Sequence, residues 1–256
     1  MLTVAFTNQK GGVGKTSTVI GLASALDRKG LRVLCVDLDP QADLTSWLGL
    51  DPFSPEMNVN DVIHADERGG AKVAVKQAGW GRQLYCISAT LDLAERESDT
   101  STGSEFRLKK ALDGVSDFDL VLIDCPPSVG RLVVLGLVAA SHLVIVTEPS
   151  VGSLRGVQNV TQTLEVVKEH YNPAIALGGI IVNHEGRTNE SALRVAEVVE
   201  AYGAEVWQPY IPARAVVASA MGARAPVADF GASGSGVDEI YAALAGRLLA
   251  LTSMDA

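Results

Sequence analysis

The chain has 256 residues, of which 47% are hydrophobic, so it can bury a sizeable core and is not an intrinsically disordered protein. Its formal net charge of −9 excludes a protein that coats nucleic acid with its whole surface, and any DNA contact must come from a local basic patch. The three cysteines are far apart without metal-ligand spacing, and we expect neither a leader nor a membrane-spanning segment. These features predict a cytoplasmic protein with reduced, buried thiols.

Near-continuous apolar runs at 2–6, 33–36, 120–123, 143–146 and 180–182 predict strands that are buried on both faces. Helical patterns at 154–169 and 188–201 lie between such runs. The alternation predicts an α/β fold, a doubly wound and mostly parallel sheet flanked by helices, with ligands at the carboxyl ends of the strands. We see neither a repeat nor an interdomain linker, so residues 1–256 are expected to form a single domain.

The first strand is followed by NQKGGVGKTST, residues 8–18, and then by apolar residues at helical spacing. Glycines at 11, 12 and 14 allow the backbone to approach phosphate oxygens, which would lie at a helix N-terminus. Lys15 would reach the β- and γ-phosphates, and the hydroxyl of Thr16 would bind Mg²⁺. The segment therefore predicts a phosphate-binding loop, although Gln9 replaces the usual first glycine and Lys10 is a second lysine.

Acidic residues end two other predicted strands. In LVLIDCPPS, residues 120–128, Asp124 follows four apolar residues, as expected for a carboxylate that contacts Mg²⁺ through water. In VDLDPQAD, one of Asp37 and Asp39 could hold the water shell of the metal while the other orients an attacking water. A polar strand end with a helix cap at Asp43 is the alternative interpretation of this second segment.

The remaining segments are less regular. Residues 51–81 predict short helices and surface loops, residues 99–104 a loop, and FGASGSG (230–236) a loop before the last helix. In that last helix, one apolar face is better explained by core packing than by a membrane; its residues are Val237, Ile240, Tyr241, Leu244 and Leu248.

Together, KGGVGKT, DLDPQ and DCPPS resemble the phosphate loop and two switch segments of the ParA/MinD group of deviant Walker A ATPases. IIVN and YIPARAVVASAMGARAPVADFG resemble later motifs of the ParA branch, closest to its small, Soj-like members. The resemblance implies ATP and Mg²⁺ as cofactors. The implied nucleotide contacts are Lys10, Gly11, Gly12, Val13, Gly14, Lys15, Thr16, Ser17, Asn183 and Pro212.

Within this resemblance, Lys10 reaches the nucleotide of a second subunit, where it stabilises charge as an arginine finger does. Lys10, Lys15 and Asp39 are then the catalytic residues, with Asp39 positioning water; Thr16, Asp37 and Asp124 surround the metal. Asn183 reads adenine, and Pro212 packs on the base. Two departures from the family pattern are Ala213, where arginine is usual, and Gly136, where asparagine is usual.

The resemblance implies an ATP-dependent homodimer that binds double-stranded DNA without sequence preference and positions a plasmid, a chromosome origin or another cargo. A ParB-like protein would stimulate hydrolysis, and the ATPase would be associated with the nucleoid. Because the first predicted strand starts at Leu2, we expect no DNA-reading domain that recognises an operator. Candidate phosphate contacts are Arg187, Arg194, Arg214 and Arg224.

Two alternatives share the scaffold. A MinD-like membrane ATPase would need a basic amphipathic C-terminal helix, but the late part of this helix has only Arg247 as a cation and ends in TSMDA. A metabolic enzyme is the other alternative. The chain lacks the cysteine spacing that an iron–sulfur reductase needs. The main evidence against an ATP-dependent ligase is DLDPQ together with Lys10.

Overall fold

Eight strands form one sheet in the computed structural model, which describes residues 1–253. The strands are β1 (Leu2–Thr7), β2 (Val33–Asp37), β3 (Val75–Gln77), β4 (Leu84–Ile87), β5 (Leu120–Asp124), β6 (His142–Thr147), β7 (Ala176–Val182) and β8 (Val206–Trp207). Their order across the sheet is β3-β4-β2-β5-β1-β6-β7-β8. All neighbouring pairs are parallel except β3 and β4.

Helices cover both faces of the sheet. They are α1 (Lys15–Arg28), α2 (Asp43–Trp47), α3 (Val59–Ala65), α4 (Arg107–Leu112), α5 (Arg131–Ala139), α6 (Ser153–His170), α7 (Asn189–Tyr202), α8 (Ala215–Ala223) and α9 (Gly231–Ala250). Apolar residues of α1, α2, α8 and α9 pack in one core cluster, and those of α3 to α7 pack in the other. This arrangement explains why β1, β2, β5 and β6 are buried along their whole length.

Strand register brings the acidic strand ends to the phosphate loop. Asp124 pairs with Phe6 of β1 on one side and with Asp37 of β2 on the other. The loop that follows β1 therefore begins at the same edge of the sheet as both carboxylates, which is where ligands bind in open α/β sheets.

The predicted fold class is confirmed, and all five predicted strands are present, each somewhat longer than its apolar run. The predicted helices at 154–169 and 188–201 correspond to α6 and α7. The segment 51–81 contains α3 and a short 3₁₀ helix, as expected, together with the unpredicted β3. No helix within residues 1–253 is long and apolar enough to cross a membrane. Residues 254–256, the end of TSMDA, lie outside the described part of the chain.

The prediction of a loop at 230–236 is wrong, because α9 begins at Gly231. Glycine and serine disfavour helix in isolation, but here tertiary packing decides. A side chain at Gly234 would collide with the carbonyl oxygen of Val227. Glycine therefore allows a close approach between the start of α9 and the 3₁₀ segment Val227–Phe230, rather than marking a loop.

The departure at Gly136 also has a packing explanation. A Cβ atom at this position of α5 would lie 2.8 Å from Sγ of Cys125 and 3.2 Å from Cδ1 of Leu38. Both neighbours are buried. The close contact between α5 and the end of β5 leaves no room for an asparagine side chain, so the family contact expected from that asparagine is not made here.

Candidate functional site

The loop between β1 and α1 is shaped to receive an anion. Gly12 and Gly14 have positive φ angles of 78° and 80°, which L side chains rarely adopt. A side chain at Gly14 would also collide with the amide of Asn183. Helix α1 begins at Lys15 without a side-chain cap, so the N–H groups of its first turn are available to phosphate oxygens.

Thr16 and Asp124, the residues predicted to surround a metal ion, lie in direct contact. Oγ1 of Thr16 donates a hydrogen bond of 2.7 Å to Oδ2 of Asp124. The other oxygen, Oδ1, is buried without a hydrogen-bond partner among residues 1–253, which is unusual for a buried polar atom. Burial and the neighbouring Asp37 raise the pKa of Asp124 well above its usual range. A bound cation would give Oδ1 a partner and would stabilise the charged form of Asp124, and these oxygen atoms suit Mg²⁺.

A metal ion at this position would need further ligands from outside the chain. Within residues 1–253, no group of three or more His, Cys, Asp or Glu side chains could hold a metal ion. Mg²⁺ in nucleotide sites usually keeps several waters and binds phosphate oxygens beside one or two carboxylates. The residues present therefore fit a magnesium–nucleotide complex rather than a free metal.

Asp37 is fully buried and organises the segment that leads into α2. Its Oδ2 accepts hydrogen bonds from N and Oγ1 of Thr45 at 2.9 and 2.7 Å, and Oδ1 accepts one from N of Asp39 at 3.1 Å. Burial raises the pKa of Asp37 to about 7. These bonds give Asp37 a structural role that the sequence did not predict, and its role in the metal environment stays a prediction.

Asp39 is partly exposed beside the phosphate loop. Its Oδ1 accepts a hydrogen bond from N of Gln41 at 3.0 Å. Burial lowers the pKa of Lys15, and the negative charges of Asp124 and Asp39 partly offset this decrease. Lys15 is only 7% exposed. The structure therefore brings Lys15, Asp39 and Asp124 together, as the sequence predicted.

Lys10 has a different environment from Lys15. Its side chain is 52% exposed. Nζ of Lys10 donates to Oε1 of Glu148 at 2.6 Å and to Oγ of Ser150 at 3.1 Å. Glu148 also lies 3.3 Å from Nδ1 of His184. The two lysines of the loop therefore bind different groups, and Lys10 is paired with a carboxylate just beyond β6.

A cavity of about 630 Å³ lies next to the loop and is lined by Ser17, Asn183, His184, Pro212 and Arg214, among others. Nδ2 of Asn183 donates to the carbonyl oxygens of Val13 and Gly14 at 3.1 and 3.2 Å, and its Oδ1 accepts from N of His184 at 2.8 Å. Asn183 thus ties the phosphate loop to the cavity wall. Its contact with adenine, and that of Pro212, stay predictions.

The four candidate DNA-binding arginines are not equivalent. Arg187, Arg214 and Arg224 are exposed, in the loop before α7 and on either side of α8. Arg194, within α7, forms ion pairs of 2.8 Å with both Glu190 and Glu197. Two carboxylates offset its charge, so the geometry disfavours Arg194 as a contact for DNA phosphate.

Several residues of the site were not predicted: Thr45, Trp47, Glu148 and His184. Glu148 directly follows β6 at the carboxyl edge of the sheet, and this position could have marked it. Nε1 of Trp47 donates a 2.9 Å hydrogen bond to the carbonyl of Ala225, which joins α2 to the segment after α8. No local sequence signal predicts a bond between residues so far apart.

A glycine-rich loop between a strand and a helix, with a strand-end aspartate bonded to the threonine of that helix, defines a P-loop nucleotide-binding protein. A family model described as AAA domain matches residues 1–177. Sporulation initiation inhibitor protein Soj of Bacillus subtilis is 35% identical over 213 residues, covering 82% of this chain and 83% of Soj. The chromosome-partitioning ATPase Soj of Treponema pallidum is 34% identical over 253 residues, covering 97% of both proteins. The chain belongs to the family of P-loop ATPases that includes the Soj and ParA proteins.

A solved structure is also similar over nearly the whole chain. The cobyrinic acid a,c-diamide synthase of Mycobacterium smegmatis, with bound ADP and magnesium, has a TM-score of 0.82 and 34% identity. The match covers 97% of this chain and 94% of that chain. The family resemblance and the fold predicted from the sequence are thus both confirmed.

Proposed function

We propose that this protein is a ParA-type positioning ATPase of the cytoplasm and nucleoid. ATP forms a sandwich dimer that binds double-stranded DNA without sequence preference, and a ParB-like partner stimulates hydrolysis and releases the dimer. The cargo is a plasmid, a chromosome origin or another assembly. Its similarity to a chromosome-partitioning ATPase supports this proposal.

The position of Lys10 is the observation that carries the proposal. Lys15 is buried in the loop beside Asp124, whereas Lys10 is half-exposed and binds Glu148 and Ser150. A cation that belonged to its own phosphate site would be expected beside Lys15. Its exposure instead suits a group that a second subunit can reach, where it would stabilise charge on the transferred phosphate.

The nucleotide site is assembled from this chain's own groups. Lys15, the loop N–H groups and the start of α1 bind the phosphates, and Thr16 and Asp124 hold Mg²⁺. The metal supplies positive charge that offsets the negative charge of the phosphates. Asp39 orients the attacking water, and Asp37 fixes the segment that carries Asp39 through its bonds to Thr45.

The proposal is tested by replacing Lys10. With ATP and Mg²⁺, light scattering should show a dimer for the wild type and a monomer for Lys10→Ala, while ADP should give monomers for both. Nucleotide affinity should change little, because Lys15 and the loop backbone remain. Lys29→Ala, which removes another exposed lysine near the end of α1, is the matched control and should dimerise normally. An unchanged ATP dimer in Lys10→Ala would refute the role of Lys10 between subunits.

An ATP-dependent ligase is the second candidate, because the diamide synthase structure is 34% identical to this chain. An amide-forming enzyme that draws ammonia from glutamine through a thiol needs that thiol to be accessible. All three cysteines are buried, and burial raises the pKa of each thiol. This chain alone is therefore unsuited to that step. ATP turnover that requires a carboxylic acid substrate and is unaffected by DNA would favour the ligase.

A further inference from the structure

Lys10 is held within its own subunit by a carboxylate to which the proposed reaction assigns no role. The bond between Nζ of Lys10 and Oε1 of Glu148 is 2.6 Å long. The side chain of Glu148 is 23% exposed, so the pair is partly shielded from water. Burial would raise the pKa of Glu148, but hydrogen bonds from Lys10 and His184 outweigh it and lower the pKa. The carboxylate is therefore charged at neutral pH.

The backbone before the glycines directs Lys10 towards Glu148. Nδ2 of Asn8 donates to the carbonyl oxygen of Val146 at 2.6 Å, and Oδ1 of Asn8 accepts from N of Lys10 at 3.0 Å. Nδ2 of Asn159 on α6 donates to Oε1 of Gln9 at 2.8 Å. These bonds attach residues 8–10 to β6 and α6, so Lys10 does not meet Glu148 by chance rotation of a free side chain.

Glu148 also contacts the wall of the cavity. Its Oε2 lies 3.3 Å from Nδ1 of His184, which lines the cavity beside Asn183. His184 has a positive φ of 54°, a conformation that is uncommon for a residue other than glycine. One carboxylate therefore connects the lysine expected to act between subunits with the cavity expected to hold the base.

We propose that Glu148 is a positioning residue that keeps Lys10 in a resting arrangement, and that each subunit must break the Lys10–Glu148 pair before it can dimerise. The inference rests on the proposed function, since it requires that Lys10 act on a partner's nucleotide. An ion pair of this exposure changes an equilibrium by up to about fivefold. Two pairs are broken per dimer, so removing them should tighten dimerisation by up to about 25-fold.

The test is Glu148→Gln, which keeps the shape of the side chain and removes its charge. The dissociation constant of the dimer is measured by sedimentation with a non-hydrolysable ATP analogue, and we expect it to fall, by up to about 25-fold. Because Glu148 also contacts His184 in the cavity wall, the affinity of the monomer for ADP is measured alongside, and the dimer constant should change more than the ADP affinity does. Glu190→Gln is the matched control, because it breaks an ion pair of 2.8 Å with Arg194 on the surface of α7. It should leave the dimer constant unaltered.

The double variant Lys10→Ala, Glu148→Gln should fail to dimerise, because the gain acts through Lys10. A dimer of Glu148→Gln that is as weak as the wild type, or weaker, overturns the inference. So does a change in the ADP affinity of Glu148→Gln that is as large as the change in its dimer constant. If the wild type itself forms no ATP dimer, the proposed function is refuted as well, so the two failures are distinguishable.

Discussion

Removal of the Asp39 carboxylate should stop hydrolysis while leaving nucleotide binding intact. Asp39 is partly exposed, and its Oδ1 accepts a hydrogen bond of 3.0 Å from the backbone N–H of Gln41. The attachment of α2 depends instead on Asp37 and Thr45. Asp39→Ala therefore removes the group proposed to orient water without detaching the segment that carries it.

The expected magnitudes follow from these contacts. Loss of one partly exposed hydrogen bond costs about 1 kcal/mol, so Tm should fall by about 2–4 °C in a chain of this size. Loss of the carboxylate that orients the attacking water should slow hydrolysis by about 10²–10⁴-fold. Because Asp39 is close enough to Lys15 for its charge to act there, it would also repel the phosphates proposed to bind Lys15. The affinity for ATP should therefore stay equal or increase.

Single-turnover hydrolysis, ATP affinity and Tm are measured for Asp39→Ala and Asp39→Asn. Asparagine keeps an oxygen for Gln41 but has no carboxylate, so Asp39→Asn should lose hydrolysis at a nearly normal Tm. Asp43→Ala, an exposed carboxylate in the first turn of α2, is the control and should retain turnover. Wild-type turnover in Asp39→Asn would refute the reasoning and place the catalytic group elsewhere.

Two further predictions concern DNA. Arg187→Gln should weaken binding of the ATP dimer to all duplexes and reduce the salt dependence of that binding. Arg194→Gln should change DNA binding little, because two carboxylates already offset the charge of Arg194. Retardation assays over a salt series check both, and a larger effect of Arg194→Gln than of Arg187→Gln would contradict the choice of DNA contacts. Trp47→Phe removes the hydrogen bond to Ala225 and should lower Tm by about 2–4 °C and weaken DNA binding, since that bond supports the segment beside Arg224. Normal melting and DNA affinity in this variant would exclude that role.

The strands could be predicted because parallel strands covered on both faces must be apolar throughout. β1, β2, β5 and β6 are fully buried and correspond to the clearest runs. The edge strands β3 and β8 have three and two residues, too few for any period to appear in the sequence. Their pairing depends on neighbouring strands, which no local pattern encodes.

The placement of the residues proposed to bind phosphate and metal could be predicted because their geometry is largely local. Gly14, Lys15 and Thr16 are placed by one turn between a strand and a helix, and Asp124 by the end of an adjacent strand. The partner of Lys10 could not be predicted from the sequence. Lys10 and Glu148 are 138 residues apart and meet through the pairing of β1 with β6. Only the tertiary fold defines such a contact.

The loops after β7 and β8 show why DNA binding should depend on nucleotide. N of Glu185 donates to the carbonyl oxygen of Ile211 at 2.9 Å, and N of Ala213 donates to the carbonyl oxygen of Glu185 at 3.2 Å. This bridged unit carries the cavity wall and also Arg187 and Arg214, so a bound base and bound DNA would act on the same short segment. In an acidic chain, each such patch would bind DNA weakly alone, but the proposed dimer would place two patches on one rigid body and make the second engagement intramolecular. ATP would then control affinity for DNA by bringing two patches together, without needing to create a new surface.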